Sequence, residues 1–221
     1  MRTTCACAAL LVLAVPVAVR GQEPRVVPVI PPGPQSAAWR MRMDDASGSV
    51  DRVRLEPAGN GAHISTQAAA IFWRPADTAS GTYEARATFR ARPGSSRREG
   101  YGLLVGGRDL AGPDQVYLYF LVRGDGSWLV KRRAGAGTSA VSGGWQLSEA
   151  VAAAGEGGEV THELVVSVGA ESVLFVIDGR RVASVPRASA GATDGIVGLR
   201  VNHRLDVDVS GPSVRREDTN E

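Results

Sequence analysis

The sequence has 221 residues, with 25 Lys and Arg against 23 Asp and Glu, and a formal net charge of +2 at pH 7. Removal of residues 1–21 would take away Arg2 and Arg20 and leave 23 basic residues against 23 acidic ones. A balanced charge gives no global electrostatic basis for binding nucleic acid or an anionic membrane, so we expect neither as a partner. The length fits one β-sandwich domain, which we expect to be a monomer.

The first 21 residues have the pattern of a secretory signal peptide. Arg2 precedes the unbroken apolar run of residues 8–19, and Gly21 precedes Gln22. The run is short for a membrane span, although an uncleaved anchor helix is the alternative. We expect cleavage before Gln22 and a secreted or periplasmic protein. Cys5 and Cys7 would leave with this segment, so the mature chain would fold without disulfides.

The rest of the chain divides into a leader, one domain and a tail. Residues 22–37 contain five prolines and are predicted to be an extended leader. The domain is predicted at residues 38–211, and the polar residues 212–221 are predicted to be disordered. Within the domain, period-two alternation predicts strands, of which these are the main ones: 39–43, 53–55, 63–74, 82–92, 99–110, 160–168, 195–201 and 205–209.

Two Asp-Gly pairs predict tight hairpins. One joins two runs of β-prone residues at Asp178-Gly179, and the other does so at Asp125-Gly126. A two-residue turn at Asp125-Gly126 would pair Arg123 with Trp128. It would place these aromatic and basic side chains on one face: Tyr117, Tyr119, Arg123, Trp128 and Arg132.

Residues 147–154 form the one convincing helix pattern of the mature chain, and Gly155 would end it. About ten or more short strands with a single short helix favour an all-β fold. We therefore predict an antiparallel β-sandwich of the jelly-roll type.

The sequence resembles the concanavalin A-like lectin/glucanase superfamily in three places: GYGLLVGGRDL followed by YLYFLVRGDG, the hairpin VLFVIDGRRV, and the closing DGIVGLRVNHRLDVDV. More narrowly, it resembles laminin-G-like domains and the bacterial DUF1080 (3-keto-disaccharide hydrolase-like) exported jelly rolls. The resemblance covers about residues 38–211. It implies two curved sheets of six or seven strands, with ligands bound on the concave sheet or at the rim loops. The same fold serves lectins, glycosidases and spacers, so it does not by itself define the activity.

No catalytic motif stands out in the sequence. Laminarinase-like glycosidases of this fold carry Glu-x-Asp-x-x-Glu on one strand, where alternation puts the carboxylates on one face. That spacing is absent here, as are Gly-x-Ser-x-Gly, His-Glu-x-x-His and the P-loop. We assign no catalytic residue.

The aromatic and basic ribbon is the best candidate for a binding surface. Sugars stack their C–H faces on aromatic rings and take hydrogen bonds from planar polar groups. Candidate carbohydrate-binding residues are Tyr117, Tyr119, Arg123, Trp128, Arg132, Arg108, Arg200, Asn202 and His203. The alternative is structural: Trp128 and Arg123 would form a cross-strand pair, and the tyrosines would cover a second core.

Other polar residues carry weaker hypotheses. Asp206 and Asp208 share a strand face and could bind calcium, or they could simply face solvent. No other metal or cofactor is expected. His162 alternates with apolar residues and is interpreted as a core histidine.

Three functions therefore stay open. The first is an exported, non-catalytic carbohydrate-binding domain whose partner is a glycan. The second is a glycosidic-bond-cleaving enzyme of the DUF1080 type. The third is a structural or interaction domain without a small ligand.

Overall fold

The computed structural model describes residues 26–28, 39–45, 48–149 and 151–216. The predicted signal peptide, and the predicted leader apart from residues 26–28, lie outside these ranges. No helix among the described residues is long and apolar enough to cross a membrane.

Two antiparallel sheets form the fold, as the alternating sequence pattern predicts. The first sheet has nine strands. Eight of them lie in the order β1 (Val26–Pro28), β2 (Arg40–Met43), β5 (Ala70–Ala79), β15 (Gly195–Val201), β7 (Gly100–Arg108), β8 (Val116–Arg123), β9 (Ser127–Ala134) and β10 (Gly137–Ala140). The ninth strand, β11 (Gln146–Leu147), also pairs with β9. The second has seven strands, with the order β14 (Arg180–Pro186), β13 (Ser172–Ile177), β12 (Val160–Val168), β6 (Tyr83–Ala91), β16 (Leu205–Arg216), β4 (Gly61–Thr66) and β3 (Val53–Ala58). The first sheet is thus wider than the six or seven strands that the resemblance implies.

The main core lies between the two sheets. Phe120 of β8 and Phe175 of β13 meet edge to face, with ring centroids 5.2 Å apart. Tyr101 of β7 meets Phe89 of β6 at 5.5 Å. These four side chains are at most 1% exposed. Burial of large aromatic side chains stabilises the sandwich and fixes which face of each strand points inward.

The two Asp-Gly hairpins differ in their turns. Ile177 pairs with Arg180, so Asp178 and Gly179 form the predicted two-residue turn, and both have positive φ. In the other hairpin Val122, not Arg123, pairs with Trp128. Gly126 N–H donates to Arg123 O, and the loop has three residues, 124–126, with Gly126 at φ 86°. The predicted register of this ribbon is therefore wrong by one residue, which moves side chains between faces.

The predicted helix at residues 147–154 is also wrong, because the described part of that segment is β11 followed by turns and irregular chain. Backbone hydrogen bonds attach it to the hairpin: Ser148 N–H donates to Gly126 O, and Ala154 N–H donates to Gly124 O. Its buried residues Val151 and Ala154 cover this turn and do not form a helix face. The α-helix of the described chain is α1 (Arg187–Ala190), and Val50–Arg52 form a 3₁₀ turn.

The C-terminal strand is longer than predicted. β16 extends to Arg216, so residues 212–216 of the predicted disordered tail belong to a strand. They pair with β6, for example Val214 with Ala85. Residues 217–221 lie outside the described residues.

Candidate functional site

The outer face of the nine-stranded sheet, which points away from the main core, carries an unusual set of side chains. Strand register places Arg42, Ile71, Arg200 and Leu121 in one row across β2, β5, β15, β7 and β8, with Gly102 between Arg200 and Leu121. The next row contains Arg40, Trp73, Gly198, Leu104, Tyr119 and Lys131. We call this surface the arginine–aromatic face.

The floor of this face is apolar and aromatic. A second hydrophobic cluster, separate from the main core, consists of Ile71, Trp73, Leu104, Leu110, Tyr117, Tyr119 and Leu121. Its members are at most 5% exposed. Leu110 comes from the loop between β7 and β8, and the partly buried Trp145 comes from the segment after β10. Two connecting segments thus fold over the sheet and cover part of its outer face.

Arg200 is the central polar residue of the face. It is 6% exposed, and its Nη1 and Nη2 donate to the two carboxylate oxygens of Asp44 at 3.0 and 2.5 Å. Nη1 also donates to the Tyr117 hydroxyl at 3.2 Å, and the guanidinium lies 5.0 Å from the Tyr119 ring centroid. Since β7 separates β15 from β8, the side chain crosses β7 to make these contacts.

The ion pair controls the protonation of both partners. Burial acts to raise the pKa of Asp44, but the hydrogen bonds and charge of Arg200 outweigh it and hold this pKa below its ordinary value. Burial acts to lower the pKa of Arg200, and Asp44 reverses that shift. Burial raises the pKa of Tyr117. At neutral pH the site therefore contains a carboxylate, a guanidinium and a neutral phenol.

Arg42 and Arg133 add positive charge beside this pair. Arg42 is 8% exposed, and its Nη1 lies 3.5 Å from Leu110 O. Arg133 pairs with Tyr117 across β8 and β9. The pKa of Arg42 is lowered, first by burial and next by the positive charge of Arg133. Arg42, Arg133 and Arg200 therefore surround the Tyr117 region, and we call them the arginine cluster.

The other end of the face holds Arg123, Trp145 and Asn202. The Arg123 guanidinium stacks 3.5 Å from the Trp145 ring centroid. Gly100 lies between Asn202 and Arg123, because Asn202 N–H donates to Gly100 O and Gly100 pairs with Arg123. A Cβ on Gly100 would lie 2.8 Å from the Trp145 ring, so the missing side chain makes room for the indole. Arg123, Trp145 and Asn202 are all partly exposed.

Unpartnered polar atoms concentrate on this face. Among the described residues, five buried side-chain nitrogen or oxygen atoms have no hydrogen-bond partner. Four of them belong to the arginine–aromatic face: Arg42 Nε, Arg123 Nε, Arg200 Nε and Asn202 Oδ1. Most buried polar atoms in folded proteins are satisfied, so such a group calls for an explanation.

The structure brings together some of the residues that the sequence singled out and separates others. Tyr117, Tyr119, Arg123, Arg200 and Asn202 share the arginine–aromatic face. Trp128 lies on the opposite face of the sheet, in the main core at 8% exposure, and therefore does not share a face with Arg123 as predicted.

Three further candidates also lie away from this set. Arg132 pairs with Leu118 on the core side of the ribbon and lies against Gly191. Arg108 is exposed and donates from Nε to Asp194 O at 3.2 Å. The half-exposed His203 lies 3.7 Å from Glu99.

Several residues of the face were missed by sequence reasoning. Arg42 had a usable signal, since the alternation Arg40-Met41-Arg42-Met43 puts both arginines on one side of a strand. Asp44 and Trp145 had none, because each reaches the face from a connecting segment whose path depends on tertiary contacts.

The possible calcium ligands Asp206 and Asp208 lie on the outer face of the other sheet. Arg92 binds both oxygens of Asp208, at 2.7 and 2.8 Å, and His63 Nδ1 lies 2.9 Å from Oδ1. Asp206 lies 3.3 Å from His63 Nε2, beside a cleft of about 510 Å³. The pKa of Asp208 is lowered, chiefly by its hydrogen bond from Arg92. The pair is thus part of an ion-pair network, and within the described ranges no group of three or more His, Cys, Asp or Glu side chains is arranged to hold a metal ion.

Comparison with known proteins supports the fold. No protein-family model matches the chain, and no protein of curated function matches it. The carbohydrate-binding module CBM66 from Bacillus subtilis superposes with a TM-score of 0.58 and 8% identity, over 79% of this chain and 94% of the module. A Bacillus subtilis protein of unknown function with a galectin-like fold superposes with a TM-score of 0.55 and 14% identity, over 80% of this chain and 89% of that one. The chain therefore shares the β-sandwich fold of these two structures.

Proposed function

We propose that this protein is an exported, non-catalytic lectin-like domain that binds a saccharide on the arginine–aromatic face. The observation that carries the proposal is the grouping of unpartnered polar atoms on one sheet face, at Arg42, Arg123, Arg200 and Asn202. Polar atoms without partners cost free energy, and a ligand rich in hydroxyl groups supplies the kind of donor and acceptor that the side chains of this face lack.

The partly exposed end of the face fits sugar chemistry best. Trp145 offers an aromatic ring, and the Arg123 guanidinium lies over it, 3.5 Å from the ring centroid, so that the two planar groups are stacked. Asn202 supplies an amide beyond Gly100. Aromatic rings with a few placed polar groups are typical of small-ligand sites. Arg123 and Asn202, both expected from the sequence, thus remain candidate ligand-binding residues, and Trp145 takes the place proposed for Trp128.

Bond cleavage is less well supported than binding. Glycosidases generally use two carboxyl groups on opposite sides of the scissile bond. Asp44 is the carboxylate that contacts the arginines here, and both of its oxygens bind Arg200. A carboxylate held in this way stabilises the site and is poorly placed to donate a proton. We propose that this protein binds a glycan without cleaving it, and that the glycan belongs to a surface outside the cytoplasm.

A glycan array followed by titration calorimetry tests the proposal with the protein of residues 22–221. We expect weak binding, with a dissociation constant between about 1 μM and about 1 mM. Arg123→Ala and Trp145→Ala should each weaken it by about tenfold or more, which corresponds to about 1.4 kcal/mol.

Two exposed residues provide matched controls. Arg180 lies on β14 of the other sheet, and Leu147 lies close to Trp145 and is 79% exposed. Arg180→Ala and Leu147→Ala should leave affinity unchanged. The proposed site would be overturned if the protein binds no glycan, or if all four variants bind the glycan with the affinity of the unchanged protein.

A further inference from the structure

The arginine cluster carries more positive charge than its surroundings neutralise. Arg200 forms its ion pair with Asp44. Within the part of the chain that the structure describes, Arg42 and Arg133 form no ion pair; Asp44 and Asp109 act on Arg42 only as nearby negative charges. The Nε of Arg133 donates to the neutral Gly135 O at 3.1 Å.

Arg42 is placed as a ligand-binding group would be. It is more than nine-tenths buried, and its Nε has no partner. Among the described residues its side chain makes one hydrogen bond, a long one of 3.5 Å from Nη1 to Leu110 O. Arg42 lies on β2, which β5 and β15 separate from β7. Because its guanidinium group contacts Leu110 O, in the loop after β7, its positive charge lies over the sheet face. A buried cation without a strong partner is costly unless an anion compensates it.

The neutral groups of the cluster suit an anionic ligand as well. Burial keeps Tyr117 protonated, so its hydroxyl adds no negative charge, and it already accepts from Arg200. The planar guanidinium groups of Arg42 and Arg133 match the geometry of carboxylate or sulfate oxygens, which they can bind with two parallel hydrogen bonds.

We infer that the saccharide bound on the arginine–aromatic face is acidic, and that Arg42 and Arg133 hold its carboxylate or sulfate group. This inference rests on the proposed function, because it assigns the charge of the ligand at the same site. The Arg123–Trp145 end would then contact a neighbouring sugar ring, while Arg200 remains bound to Asp44.

Two matched pairs of polysaccharides test the inference by affinity electrophoresis and calorimetry. Polygalacturonate is compared with its carboxyl-reduced form, and dextran sulfate with unsulfated dextran. We expect at least one acidic polymer to bind about tenfold or more tightly than its neutral partner, and its affinity to fall as salt is added. Which acidic polymer binds identifies the anionic group as carboxylate or sulfate.

Variants separate a specific site from general charge attraction. Arg133→Gln should reduce affinity for the acidic polymer about tenfold and leave affinity for the neutral one unchanged. Arg180→Gln on β14 removes the same charge from the other sheet and should have no effect. Arg42→Gln should also reduce affinity for the acidic polymer about tenfold or more, with circular dichroism as a fold check. Where it does not fold, Arg133→Gln decides.

The possible failures are distinct. Equal binding of acidic and neutral polymers, with no effect of Arg133→Gln, overturns the acidic specificity and leaves the proposed saccharide site standing. Equal losses for Arg133→Gln and Arg180→Gln also overturn it, because attraction would then depend on charge alone. Binding of none of the polymers, together with an empty glycan array, contradicts both proposals.

Discussion

His162 is a buried titratable residue in the main core. It is 0% exposed, and its Nε2 lies 2.8 Å from Ala152 O. Because a carbonyl can only accept, Nε2 carries the proton, and Nδ1 accepts from the Tyr101 hydroxyl at 2.8 Å. The interpretation of His162 as a core histidine is confirmed. Burial lowers its pKa below 6.5, against an opposing effect of the Ala152 hydrogen bond.

This shift predicts a loss of stability in mild acid. Above about pH 6.5 the His162 side chain is neutral in both the folded and the unfolded state, so its full contribution to the free energy of unfolding is present. As pH falls through that value the unfolded chain binds the proton more readily, and the free energy of unfolding decreases. Urea titrations at about pH 7.5 and about pH 5 measure this, a range in which Asp44 and Asp208 stay ionised. His162→Gln should be less stable at both values and less pH-dependent; an unchanged pH dependence would contradict the assignment.

Trp128 provides a second prediction at the level of single residues. Its side chain belongs to the main core, so Trp128→Ala should lower the free energy of unfolding by about 3–5 kcal/mol, as large core truncations do. Trp145 is partly exposed, and Trp145→Ala should cost less stability while reducing saccharide affinity. Chemical denaturation of both variants compares them. Equal losses of stability would show that Trp145 contributes as much to packing as Trp128 does.

Among the structural elements, the hairpin between β13 and β14 depends on its turn. Gly179 has φ 75°, and a Cβ there would meet nothing within 4 Å, so only backbone strain opposes a side chain. Gly179→Ala should cost about 1–2 kcal/mol, which is the penalty for a left-handed L-residue. Gly157 has equally open surroundings without positive φ, and Gly157→Ala should be close to neutral. Thermal unfolding of the pair tests the turn, and similar melting temperatures would refute this explanation.

The strands show how much of the fold can be predicted from local sequence. Period-two alternation placed β6, β12 and β15 within one residue of their observed bounds, because each has one face in the core. The two-residue turn predicted at Asp125-Gly126 is wrong for the β8–β9 hairpin, where residues 124–126 form a three-residue loop. A shift of one residue exchanges faces, so Trp128 moved from the candidate site into the core. Gly124 O and Gly126 O also accept hydrogen bonds from Ala154 N–H and Ser148 N–H, which are contacts that the local sequence of the hairpin does not reveal.

Across the whole molecule, the candidate site is a product of strand order. Arg42, Arg200 and Tyr117 are far apart in sequence. They lie on one face because β2, β5, β15, β7 and β8 are successive neighbours in one sheet. Alternation predicts that each points away from the core, yet it cannot state which strands are neighbours. The sequence could therefore suggest a surface of arginine and aromatic residues, and the resemblance could suggest the sandwich. The ion pair of Arg200 with Asp44 required the tertiary structure.

The proposed export and the expected absence of disulfides both depend on where the two cysteines lie in the sequence. Both cysteines, Cys5 and Cys7, lie within the predicted signal peptide of residues 1–21. The described strands from β2 onward pack without a disulfide, around a core of many buried apolar residues, which a domain of about 200 residues can supply. We therefore expect the exported protein to begin at Gln22 and to have the same melting temperature with and without reductant. Mass spectrometry of the exported fraction and thermal unfolding with dithiothreitol measure the two outcomes. Leu11→Arg interrupts the apolar run and should keep the precursor in the cytoplasm. An exported chain that still carries Met1, or a melting temperature that falls on reduction, would contradict this account of how the protein is processed and stabilised.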